Sequence, residues 1–390
     1  MTPPYLRSLF RVARTVYPEP TWAHRGQRLL FVFRLLRNHP HSRRWLEYLA
    51  TERMAPLAAA NPSLYRKPIR PYVSTHWPGR MKVAAMMHHY DFLARRLPPP
   101  AFRQVVSREG LRWLAFPARN GDHLAVILRF DGKFRKEGET TLDLESTRYG
   151  CRIASMTFVV AASTTGAPCL IIGAVSGLPP GADKDIIKDT AKALFGLRPK
   201  VLLLLLLQEL ARSWNVPVLL GAGNRIHTSR DMDYWLNHTR RFPITYDSFW
   251  EEAGGHRRSD GFFVLPLQPS PRNFHDIPPQ KRAHYRHRYA LIDGILERFR
   301  AGPEPAPTDP AAAARTDGEP AASRGTRGAL PTSLAGLVLC GLTALHGYRS
   351  LGHSTFSVPL DVLPEHTIRI QIRAYDDPTP SPPPAGRSRP

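Results

Sequence analysis

Four short apolar runs, at 123–130, 140–145, 153–162 and 168–177, limit what this chain can become. Each is rich in β-branched residues or alternates apolar with polar, and Gly-containing turns such as Asp131-Gly132 and Thr165-Gly166 separate them. Runs of this length with that punctuation read as an antiparallel meander. A helical stretch follows at 183–195. A second begins at Arg198-Pro199, where proline loses nothing because a first-turn N–H has no helical partner, and runs through a leucine stretch to about Trp214. Segment 216–222 then reads as one more buried strand, ending in Gly221-Ala222-Gly223-Asn224. A strand that follows a helical crossover lies parallel to the strand before it. The expected core is therefore α/β of the α+β kind: a mixed, mainly antiparallel sheet that holds one parallel pair.

The flanks differ in character. Residues 1–100 read as a helical N-terminal subdomain, with helical periodicity at 5–17, 26–37 and 42–54 and a boundary at Pro98-Pro99-Pro100. Residues 101–300 form the mixed core and close on a helix at 278–300. Residues 301–329, rich in Ala, Pro, Gly and Thr, read as a disordered linker. Residues 330–377 form a small apolar module of unknown status, and 378–390 a disordered tail.

Charge narrows the partners. Lys and Arg total 54 against 32 Asp and Glu, a net charge of +22, with Arg well ahead of Lys. Guanidinium suits phosphate and carboxylate, so the expected partner is an anionic ligand or surface: a phosphate-rich cofactor, anionic lipid or nucleic acid. The other reading is a GC-biased genome that writes Arg for Lys, since net charge alone speaks to solubility and non-specific binding. The 3 cysteines are scattered, which excludes a disulfide framework and a zinc site and fits a reducing compartment. His88-His89 point apart on a helix, so no metal is expected. No apolar run reaches the ~18 residues of a membrane span, and arginines interrupt the N-terminal apolar face, so neither a span in the core nor a secretory signal is expected. The expected location is the cytoplasm, peripheral to the inner membrane in the lipid-binding case.

Four segments carry candidate chemistry. Gly196-Leu197-Arg198-Pro199-Lys200 opens a helix, whose free N–H groups and positive dipole end attract anions. Gly196, Arg198 and Lys200 are the expected phosphate contacts; the alternative is a loop with two solvated bases. Asn224 and His227 follow a strand end, where ligands of open sheets collect, and His227 could serve as a base. At 246–252, Asp247 and Glu251 stand four apart on one helical face beside Tyr246 and Trp250. Carboxylates among aromatics can act as bases; the alternative is a capped helix with its acids in water. The basic run Lys281–Tyr289 reads as a surface for nucleic acid, an acyl-carrier phosphate or anionic lipid, or as the outer face of an amphipathic helix.

The segments Gly196–Lys200, Tyr246–Glu252, Gly261–Pro266 and Lys281-Arg282 with Tyr285-Arg286 and Arg288-Tyr289 resemble the VirK/YbjX family, a bacterial domain of unknown function also called DUF535. The resemblance covers about residues 25–300. It implies a bacterial protein tied to envelope integrity, virulence, resistance to host peptides or stress, DNA damage included. The order meander, helix, parallel strand is similar to the GNAT acyltransferase fold, whose loop after the fourth strand holds the pyrophosphate of acyl-CoA. That likeness implies an N-acyltransferase with Gly196, Arg198 and Lys200 on the phosphates, Glu251 or Asp247 taking the amine proton, and Tyr246 protonating the thiolate. The GNAT glycine signature is absent here, and a helix is inserted.

Overall fold

A computed structural model describes residues 3–303 except 131, 133–135, 164–165, 229–245, 270–274 and 276. The expected linker, C-terminal module and tail lie outside the described residues from 304 onward. The described chain opens with helices α1 (Pro3–Val16), α2 (Trp22–Arg37), α3 (His41–Leu49) and α4 (Ala55–Ala60). A short 3-10 helix (Pro62–Ile69), α5 (Gly79–Arg96) and α6 (Pro99–Val105) follow. The proline run at 98–100 opens α6, with Pro98 as its cap and two prolines in its first turn, where the missing N–H is harmless.

Eight strands follow, in the spatial order β1-β2-β3-β4-β5-β6-β8-β7. They are β1 (Leu111–Pro117), β2 (His123–Arg129), β3 (Thr140–Ser146), β4 (Cys151–Ala162), β5 (Pro168–Ser176), β6 (Val218–Ala222), β7 (His256–Arg257) and β8 (Phe262–Leu265). The helices among them are α7 (Asp185–Ala193) and α8 (Pro199–Ser213) between β5 and β6, and α9 (Tyr246–Glu252) before β7; α10 (Pro279–Arg300) closes the described part. All pairings are antiparallel except β5 with β6. The expected meander and parallel return are thus present. β1 and β7 are additions; β7 is two residues long and both are exposed, so no apolar pattern announces it.

The core is continuous from the helices into the sheet. Trp45, Tyr90, Phe92 and Phe102 from the helices join Leu142, Leu144, Met156 and Phe158 from the strands in one buried cluster. Helix α8 is buried on nearly every side, from Leu202 to Ala211, because a helix apolar all round is stable only when enclosed. Helix α10 is tied to β1 by Trp113, whose indole N–H donates to the Phe299 carbonyl at 2.7 Å. Among the described residues no helix is long and apolar enough to cross a membrane.

One irregularity positions the site. The parallel pairing runs only from Cys169↔Val218 to Ile172↔Gly221, whereas β5 stays paired with β4 as far as Ser176. The two strands part at Gly173. This glycine is the extra residue of a bulge, since Phe158 faces Ile172 and Thr157 faces Ala174. A Cβ there would stand 1.9 Å from the Glu137 carbonyl oxygen, so only glycine lets the two backbones meet.

Candidate active site

The parting of β5 and β6 is lined from three directions. From β6 comes the turn 223–228. Its Asn224 N–H donates to Asp247 Oδ1 at 2.7 Å, and Asn224 Oδ1 accepts the Tyr246 N–H at 2.9 Å. This reciprocal pair caps α9 onto the strand end. Trp250 anchors the same helix: it is fully buried, and its Nε1 donates to the Ala222 carbonyl at 3.0 Å. The indole lies so close to Gly221 that a Cβ would meet its ring at 2.6 Å.

Tyr246 projects into the parting. Its hydroxyl donates to the Val175 carbonyl and accepts the Val175 N–H, both at 3.2 Å. One phenol thus holds both backbone groups of a β5 residue beyond the reach of β6. His227 packs edge-on against the Tyr246 ring, centroids 4.9 Å apart, and is 4% exposed. Burial pushes its pKa down to about 4, against a smaller opposing hydrogen bond with the Gly173 backbone, so the imidazole is neutral at physiological pH. The neighbouring Thr228 hydroxyl donates to Glu137 Oε1 at 2.9 Å. Burial raises the Glu137 pKa.

The third direction is the start of α8. Lys200 lies beside Gly177, the residue after β5, where a Cβ would sit 3.8 Å from the lysine Cε. Burial pushes its pKa down. An incompletely solvated ammonium at a helix N-terminus favours an anion. Arg198 pairs with Glu252 of α9 at 3.1 Å. Both side chains are more than half exposed, so the pair contributes ~0–1 kcal/mol and matters as a marker of proximity.

The structure therefore brings the Gly196–Lys200 turn and the Tyr246–Glu252 helix to one place. The residues differ in readiness. The Gly196 N–H donates to the Ala191 carbonyl at 2.7 Å, closing α7, so this glycine's N–H is engaged in shaping the turn. Asp247 holds Asn224 with one oxygen and Arg257 with the other. Glu251 is exposed to solvent. His227 and Tyr246 alone among the expected catalytic residues line the parting itself. Asp247 also borders a shallow concavity of about 200 Å³ with Arg225, Arg257 and Arg258.

Sequence reasoning missed two groups. Glu137 is one; it lies between the runs at 123–130 and 140–145, where no motif or periodicity singles it out. The other is a buried polar cluster behind the site. Lys67 Nζ pairs with Glu139 Oε1 at 2.5 Å, the Tyr90 hydroxyl donates to Glu139 Oε2 at 2.6 Å, and His89 bonds Thr140 Oγ1 at 2.8 Å. No local signal marks a lysine whose partner is 72 positions away. Among the described residues no group of three or more His, Cys, Asp or Glu could hold a metal ion.

Residues 20–301 match a family described as "Protein of unknown function (DUF535)". The chain is 25% identical over 279 residues to "Uncharacterized protein YbjX" of Escherichia coli, covering 71% of this chain and 84% of that protein. It is 30% and 31% identical to two proteins of Haemophilus influenzae, each described as "Uncharacterized protein", over 32% and 33% of this chain and 40% and 41% of theirs. No solved structure matches.

Proposed function

The chain belongs to the DUF535 family, and from that premise we propose that it is an N-acyltransferase which moves an acyl group from a coenzyme A thioester to an amine. The observation that carries this reading is the incompletely solvated Lys200 at the start of α8, beside a strand edge that β6 has left. An extended thioester arm can pair with such an edge by strand addition, and its phosphates then fall at the helix N-terminus. The order of meander, helical crossover and parallel strand, similar to the GNAT fold, supports the reading. Fold likeness alone does not assign chemistry.

The residues fit the steps. Lys200 and Arg198 hold the phosphates. The amine nitrogen attacks the thioester carbonyl, the C–N bond forms, and the C–S bond breaks. Neutral His227 accepts the amine proton, assisted by Glu137 across Thr228. Tyr246 protonates the departing thiolate. For the thioester to reach Val175, the Tyr246 hydroxyl has to release the backbone groups it now holds. An amine of the cell envelope or of a peptide is the substrate class that suits a VirK/YbjX-like role in envelope integrity, virulence or stress. Titration of the purified protein with acetyl-CoA in a calorimeter tests the reading; no heat of binding at millimolar thioester overturns it.

A second, non-enzymatic reading rests on the surface beside this turn. The Arg119 guanidinium lies 5.5 Å from the Phe195 ring and the His287 ring is stacked against it at 5.4 Å, with Arg288 bonded to the Phe195 carbonyl. Cations around a half-exposed ring suit single-stranded nucleic acid, which binds by charge and stacking. A steep fall in oligonucleotide affinity with added salt supports it, and no binding at low salt ends it.

A further inference from the structure

Helices α1 and α2 form a hairpin whose inner side is satisfied and whose outer side is not. Leu9, Ala13, Phe31, Val32 and Leu35 make a small core of their own. On the outer side, Trp22 is 84% exposed, Leu29 62%, Phe33 50% and Phe10 41%. Trp22, Leu29 and Phe33 stand at i, i+7 and i+11, so they share one face of α2, with Gly26 between them. Exposed large apolar side chains are few in the described residues, and most of them lie on these two helices. A stripe of this kind marks an interaction surface.

The charges around the stripe identify the partner. Neither helix contains an acidic residue, and the one acid of the hairpin, Glu19, lies in the turn between them. Arg7, Arg11 and Arg14 share a face of α1 with Phe10, and Arg25 and Arg37 are exposed on α2. The Arg25 guanidinium sits 4.8 Å over the Trp22 ring. Arg28 is engaged otherwise, donating to the carbonyls of Tyr17, Pro18 and Glu19, and it fixes the hairpin turn. A nucleic acid stacks on aromatic rings but leaves the exposed Leu29 in water. A protein groove has no need of a purely cationic rim. An anionic lipid surface takes both, with apolar side chains at the acyl boundary and guanidinium among the phosphates.

We propose that the outer face of the α1–α2 hairpin docks the protein on anionic phospholipid membranes, lying in the interface without crossing it. This stands independently of the acyl-transfer reading, since it uses none of those residues.

The test is sedimentation of the full chain with phosphatidylcholine vesicles and with mixed phosphatidylcholine–phosphatidylglycerol vesicles. The expected result is partitioning to the mixed vesicles, with Trp emission quenched by brominated acyl chains. The Trp22→Ala/Leu29→Ala/Phe33→Ala variant changes only exposed positions, so it should keep its circular dichroism spectrum. It should lose at least about tenfold in partitioning at every salt concentration. The Arg7→Ala/Arg11→Ala/Arg14→Ala variant should lose the preference for phosphatidylglycerol. Absence of vesicle binding by the folded wild type overturns the proposal, as does binding that the first variant leaves unchanged. Binding of oligonucleotide but not of vesicles by the same face also overturns it, in favour of a nucleic-acid surface.

Discussion

Among the ion pairs that join distant segments of the described chain, Lys67–Glu139 and Arg198–Glu252 do different things. Lys67 and Glu139 are 3% and 0% exposed and share their cage with Tyr90 and His89. Arg198 and Glu252 are 68% and 57% exposed and stand at the mouth of the β5–β6 parting. A charge taken out of water is stable only while its partner remains, so the first pair is a lock between the N-terminal helices and the sheet. The second is screened by solvent and contributes little to stability.

The largest effect should come from breaking the lock. Glu139→Gln leaves the Lys67 ammonium buried without its counter-charge and should cost about 3–5 kcal/mol in urea unfolding. A loss below about 1 kcal/mol would erase the contrast between the pairs.

Acid should act next, through a buried histidine in each region. His89, beside the lock, has its pKa lowered to about 3, and His227, beside the mouth, to about 4, in both cases chiefly by burial. Both folded values lie below the unfolded ~6.5, so the unfolded chain binds more protons as pH falls. Their stabilisation is complete above about pH 6.5 and is lost on descending toward the folded values. Each should cost about 2 kcal/mol between pH 7 and pH 5. Urea midpoints across that range check this, and His227→Gln should remove its share of the slope.

A smaller change should follow at the mouth. Lys200→Ala should weaken acetyl-CoA binding by about tenfold, or ~1.4 kcal/mol, with little loss of stability, since no counter-charge is left buried. Calorimetric titration measures it. An equal affinity in wild type and variant would move the phosphates away from α8. The smallest effect belongs to Arg198→Ala, which should change unfolding stability by no more than about 1 kcal/mol. A larger loss would make the open pair a second lock.

β2 to β5 were legible as short runs rich in β-branched residues bounded by Gly-containing turns, and β6 as a buried run after the leucine helix, although most of their residues are buried rather than alternating. β1 was missed because Trp113 and Leu114 are consecutive and both buried at a register shift, which blurs the period. The family motifs at Gly196–Lys200 and Tyr246–Glu252 could be read as motifs. Their meeting through Arg198 and Glu252, 54 positions apart, could not, because no local rule relates them. Asp247 and Glu251 looked equivalent by helical spacing, yet one is engaged at both oxygens and the other faces water.

Composition and periodicity settled the kind of element at most positions and the basic character of the chain, since these depend on near neighbours and on sums over the chain; the parallel return followed from the order of the elements and the crossover rule. Packing settled which charges are enclosed, that His227 and Tyr246 line the strand parting while Glu251 does not, and which face of the first hairpin is left uncovered. Burial and pairing are properties of residues brought together from far apart, and desolvation acts only once they have met.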